Sequence, residues 1–127
     1  MTEGELKSRL KSMTLRVIRL VQSLPKNVTA DVLGKQLIRS ATSVAANYRS
    51  ACKARSRLDF LSKLGIVEEE ADETQLWIEM IVESGMIKPE RVKNLLAEVN
   101  EIVAIIAASR ITLKKNQKSN NRVIGNS

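Results

Sequence analysis

Glu69, Asp72 and Glu73 stand at i, i+3 and i+4, so on a helix they share one face. Carboxylates so placed are the one candidate metal site in the chain. Carboxylate bundles that hold iron complete such a face with Glu-x-x-His pairs from facing helices. This chain has no His, and its other segments offer few acids. No metal is expected. The same absence removes Ser-His-Asp and Cys-His triads and His-ligated zinc or haem. Cys52 is the single Cys, which excludes an intramolecular disulfide and a Cys-rich metal site. Its neighbour Lys53 is the kind of charge that lowers a thiol pKa, but a small buried or half-buried residue is the simpler reading. Gly34-Lys35 lacks the rest of a phosphate-binding P-loop. The chain reads as a non-enzyme without cofactor.

What remains is charge. The formal net charge is +7, but it is unevenly distributed. Residues 1–57 hold 12 Lys/Arg against 3 Asp/Glu, residues 58–101 hold 4 against 11, and residues 102–127 hold 5 against none. The base includes Lys7, Arg9, Lys11, Arg16, Arg19, Lys35, Arg39, Arg49, Lys53 and Arg55; the acid centres on Glu68-Glu69-Glu70-Ala71-Asp72-Glu73. Two readings follow. The acids neutralise the bases within or between subunits, or the bases form a surface for a polyanion, with the basic C-terminal stretch as an added arm. Phe60, Trp77 and Tyr48 are the only aromatics, so base stacking can contribute little to any nucleic-acid contact.

Four segments with helical apolar periodicity must position these groups. In the first, Leu6, Leu10, Met13, Val17, Leu20 and Leu24 form a seam that Pro25 stops. The second runs from about Ala30 to Ala54, with Thr29 or Asp31 as its expected cap and Leu33, Leu37, Ala41, Val44, Tyr48 and Ala51 as its seam. Its small-residue middle, Ser40 to Ala46, is the expected place of closest packing, and such contact would also explain Gly34 inside a helix. The third starts at Ser56 with Ser56-Arg57-Leu58-Asp59 in capping-box spacing and ends at Gly85, a left-handed cap. The fourth starts near Pro89. An all-α, antiparallel up-down-up-down four-helix bundle over residues 1–115 is predicted, with a disordered basic tail over residues 116–127.

Surplus apolar surface on the last two helices points to self-association, with Trp77, Met80 and Ile105 as the expected interface. Arg39 and Asn47 are polar residues at the core edge of helix 2. A buried Arg39 would need a carboxylate, for which Glu69, Glu70 or Glu73 is the natural partner; the role is register, not ligand binding. The polar start has no secretory h-region, and the longest apolar run, Ile102 to Ala108, is far short of the ~20 residues that span a bilayer. No membrane contact and a cytoplasmic location are expected.

The stretch Gly34-Lys35-Gln36-Leu37-Ile38-Arg39-Ser40-Ala41-Thr42-Ser43-Val44-Ala45-Ala46-Asn47-Tyr48-Arg49 resembles the second helix of the four-helix-bundle proteins encoded in 23S ribosomal RNA intervening sequences. Phe60-Leu61-Ser62-Lys63-Leu64 and the acidic run through Glu73-Thr74-Gln75-Leu76 are similar to that family's third helix. The resemblance spans residues 5–115. It departs at Tyr48-Arg49-Ser50-Ala51, where many members carry a run like Ile-Ala-Glu-Gly. It implies an antiparallel bundle and a homopentamer. It also implies kinship with the accessory variability determinant of diversity-generating retroelements, which binds nucleic acid and a reverse transcriptase.

The expectation drawn is an oligomeric accessory or scaffold protein that holds RNA or DNA by its phosphates, in the retroelement case beside a reverse transcriptase. The residues expected to do so are Lys7, Lys11, Arg16, Arg19, Arg49, Lys53, Arg55 and Arg57, with Arg110, Lys114 and Lys115. The alternative is an oligomer that binds only protein.

Overall fold

The first three helices each start where a side chain satisfies one of the first free backbone N–H groups. In the computed structural model, which describes residues 1–125 and side chains through Asn116, four helices follow one another. Helix α1 is Glu3–Gln22, α2 Val28–Ala51, α3 Arg57–Glu83 and α4 Pro89–Gly125. Thr2 caps α1 in a reciprocal capping box: its hydroxyl accepts from the Glu5 N–H at 3.1 Å, and its own N–H donates to Glu5 Oε2 at 2.9 Å. Ser56 caps α3 by accepting from the Asp59 N–H at 3.0 Å. The cap of α2 is neither Thr29 nor Asp31. Asn27 is extended, and its short amide accepts from the Ala30 N–H at 2.8 Å, which starts the helix two residues earlier than expected. After Ser84, Gly85 takes φ +81° and turns the chain into α4.

The helices pack as α1 on α2, α2 on α3 and α3 on α4, with a thinner α1–α4 contact closing the square. The order is antiparallel: Val21 lies against Gly34 and Thr14 against Ala41, so α2 descends as α1 rises. The expected seams form the core. Leu10, Met13 and Val17 of α1 meet Leu37, Ala41 and Val44 of α2, Leu64, Val67, Ile78 and Ile81 of α3, and Val92, Val99, Ile102 and Ile106 of α4. Burying an aliphatic side chain of this kind contributes roughly 1.5–3 kcal/mol.

The small residues of α2 do what their size permits. The Thr14 hydroxyl lies 2.8 Å from the Leu10 carbonyl and 3.2 Å from the Ala41 carbonyl across the α1–α2 contact. On the other side of α2, the Thr74 and Ser40 hydroxyls meet at 2.9 Å, both fully buried. Gly34 is buried, and a Cβ there would fall 2.9 Å from Val21 Cγ1. Helix α4 continues through Gly125, past the boundary at residue 115 suggested by composition. The expected disorder over 116–127 falls mostly on side chains, from residue 117 on, that lie outside the described residues. Among the described residues no helix is long and apolar enough to cross a membrane.

Candidate nucleic-acid interface

An open groove of about 720 Å³ runs between α1 and α2 at one end of the bundle. Lys7 and Lys11 stand on its α1 wall, Arg49 on its α2 wall, and Lys53 in the turn that follows α2. Lys7 and Lys11 are spaced i, i+4 on α1, so both project from the same side of that helix, ~6 Å apart along its axis. Leu15, Ala45 and Ala46 supply small or apolar surface, and Ser8, Thr14, Thr42 and Ser50 supply hydroxyls. No carboxylate lines the groove. None of its four cations enters an ion pair among the described residues. Four uncompensated cations around a shallow trough can bind anionic oxygens.

Five of the acids go elsewhere, to three arginines. Arg39 Nη1 donates to Glu70 Oε2 at 2.9 Å and Nη2 to Glu73, while Nε donates to Gln36. This is the partner choice expected from sequence, but the Arg39 side chain is 46 % exposed and not buried. Desolvation opposes its charge, and the bonds to Glu73 and Glu70 outweigh it, so its guanidinium is held above its ordinary value. Arg9 bridges α1 to Glu98 and Glu101 of α4; its pKa is raised chiefly by the hydrogen bond to Glu98. Neutralisation within the chain therefore accounts for part of the charge pattern and does not reach the groove. The acids of α3 and α4 neutralise Arg39, Arg9 and Arg110, and the groove stays positive.

Several sequence-based assignments change. Arg110 is not free for phosphate: Nη1 donates to Glu68 Oε2 at 3.0 Å, and its guanidinium lies over Gly65, which leaves room for it. Arg16 and Arg19 are not in the α1–α2 groove; they line a separate cleft between α1 and α4. Arg55 and Arg57 are exposed at the α2–α3 turn, near the groove end of α2, and Lys114 and Lys115 are exposed on α4. Asn47 does not link helices. Its Nδ2 donates to the Ser43 carbonyl one turn back, because an amide in mid-helix finds that oxygen first.

The expected interface trio does not form one patch. Met80 lies two turns beyond Glu73, on the α3 edge that meets Arg39 of α2. Ile105 lies two turns beyond Glu98, on the α4 edge that meets Arg9 of α1, and it is half-buried against the core. Trp77 is also half-buried against the core. The exposed apolar residues on α3 are Leu58, Ile66, Leu76 and Met80. The carboxylates first considered as a metal site are split as well: Glu73 is held by Arg39, while Glu69 and Asp72 are exposed.

These features define a class: a basic antiparallel four-helix bundle with a cationic groove open between its first two helices. The chain belongs to the 23S rRNA-intervening sequence protein family, whose pattern it matches over residues 5–108. A similar solved structure is a protein with unknown function from the S23 ribosomal protein family, from Bacteroides thetaiotaomicron. It is 31 % identical, with TM-score 0.79, over 87 % of this chain and 98 % of that one. No curated protein matches the chain.

Proposed function

We propose that the protein is a non-enzymatic oligomeric scaffold that binds nucleic acid through phosphate contacts in the α1–α2 groove. The observation that carries this reading is the groove itself: Lys7, Lys11, Arg49 and Lys53 face one trough with no carboxylate among its lining residues. Elsewhere Glu68, Glu70, Glu73, Glu98 and Glu101 pair with Arg9, Arg39 and Arg110. A protein that needed only internal neutrality would leave no such asymmetry. The lining has no aromatic side chain, so contact is to backbone and shape and tolerates many sequences. Self-association is supported by Ile66, Leu76 and Met80 on the outer side of α3, each 41–45 % exposed; a pentamer is the stoichiometry to test. A reverse transcriptase is the partner to test in the retroelement setting.

The test is a gel shift with structured RNA and with duplex DNA across ~50 to ~200 mM salt, on protein of measured mass. Four groove phosphates contribute about 3 to 4 to the slope of log affinity against log salt. Substituting Lys7, Lys11, Arg49 and Lys53 by Gln removes that part of the slope. Binding that ignores salt, or a groove variant that binds as the parent does, leaves the alternative: an oligomer that docks only protein, with the α3 face as its contact.

A further inference from the structure

Helix α1 carries cations on both flanks. Toward α2 stand the four of the groove. Toward α4, Arg16 and Arg19 join Arg91 of α4 in a cleft of about 350 Å³, beside Ser23 and Asn94. None of these three arginines enters an ion pair among the described residues. The ridge of α1 between the two sites is exposed and uncharged at Ser8, Ser12, Leu15 and Gln22. From residue 6 to residue 30 the sequence has no carboxylate. The two sites are staggered along α1 by roughly nine residues, ~13 Å of helix rise.

Two rows of cations on either side of one helix suit a ligand with two anionic strands. A helix with its side chains is ~10–12 Å across, and the major groove of B-DNA is ~12 Å wide with a phosphate row on each lip. A single strand would satisfy one row, and its unpaired bases would find no aromatic side chain in either site to stack on. The A-form major groove of duplex RNA is too narrow and deep to admit the ridge. We propose that the ligand is duplex DNA, with the exposed ridge of α1 lying obliquely in its major groove. One strand's phosphates rest on the α1–α2 groove and the other's on Arg16, Arg19 and Arg91. This rests on the nucleic-acid reading above and adds to it a ligand class and a second site.

The experiment is fluorescence anisotropy with a DNA duplex of about 16 base pairs, its separate strands and the matching RNA duplex, from ~50 to ~200 mM salt. The proteins are the parent, the groove variant K7Q/K11Q/R49Q/K53Q, the cleft variant R16Q/R19Q/R91Q, and R16K/R19K/R91K, with helix content checked for each by circular dichroism. Seven phosphate contacts give a slope of about −6 on duplex DNA, and the cleft variant brings it to about −4. The lysine variant keeps the parent slope. Duplex DNA binds at least about tenfold more tightly than either other ligand, each strand or RNA duplex lacking one of the two phosphate rows or the groove width. The proposal is overturned if the cleft variant leaves the duplex slope unchanged, or if single strands or duplex RNA bind as tightly as duplex DNA. In both cases binding that the groove variant still weakens preserves the broader reading. Should the parent bind none of the three, both fall together.

Discussion

Gly34→Ala would test how closely α1 and α2 approach. In an ordinary helix interior this exchange stabilises by up to ~1 kcal/mol, because Ala restricts the unfolded backbone and favours the helix. Here the added methyl carbon would lie 2.9 Å from Val21 Cγ1, with Leu24 Cδ1 at 3.7 Å. Carbon atoms pack best at ~3.5–4.0 Å, so either Val21 leaves its rotamer or the two helices part by more than half an ångström. Overpacking of this kind costs ~1–3 kcal/mol. The propensity gain offsets part of it, and the net expected effect is a loss of about 1 kcal/mol. Urea denaturation followed by far-UV circular dichroism reads this directly. The sign is decided by a double-mutant cycle with Val21→Ala, which removes Cγ1 and with it the clash. In that background Gly34→Ala should stabilise by about 0.5–1 kcal/mol. If Gly34→Ala already stabilises the parent, or if Val21→Ala leaves its effect unchanged, the tight contact is not what keeps glycine at this position.

Other outcomes follow from particular contacts. Gly85→Ala forces a Cβ into the left-handed region at φ +81° with open space around it, so it should cost ~1–2 kcal/mol from backbone strain alone; a thermal melt checks this. Thr74→Val removes one partner of the buried Ser40–Thr74 hydroxyl pair and should cost ~1–2 kcal/mol, whereas Thr74→Val with Ser40→Ala should cost less than the two single changes added. Arg39→Ala breaks exposed ion pairs to Glu70 and Glu73 and should lose under ~1 kcal/mol at low salt, and less at high salt. Burial, and then the nearby Cys52 side chain and Glu3, push the Tyr48 phenol well above its ordinary 10.0. A raised folded-state pKa means its stabilising share is complete below pH 10 and declines as the pH rises further. Tyr48→Phe should flatten that alkaline decline in a stability-against-pH series.

The caps and seams were legible in the sequence because they depend on neighbours within one or two turns. Ser56, Gly85 and the Leu6–Leu20 seam needed only local spacing to be recognised, and all take the expected places. Thr2-x-x-Glu5 carried an equally local signal that periodicity alone overlooks. Asn27 is not singled out because three polar residues at alternate positions, Asn27, Thr29 and Asp31, compete to cap α2, and backbone angle decides among them.

The candidate site was only half legible. Composition identified an excess of base and a shortage of aromatics, and hence a phosphate contact without stacking. It could not tell Lys11, which faces the groove, from Arg9, two residues earlier, whose charge Glu98 neutralises. Nor could it join Arg91 to Arg16, which lie 75 positions apart in the chain and share one cleft. The reason is physical. A helix turns 100° per residue, so two neighbouring cations point to different helices, and only the packing of α1 between α2 and α4 decides which of them meets a carboxylate. The sequence determined that this chain is a basic helical bundle with no His-based chemistry. Tertiary structure alone decided which charges are cancelled and which stay exposed on the two flanks of α1.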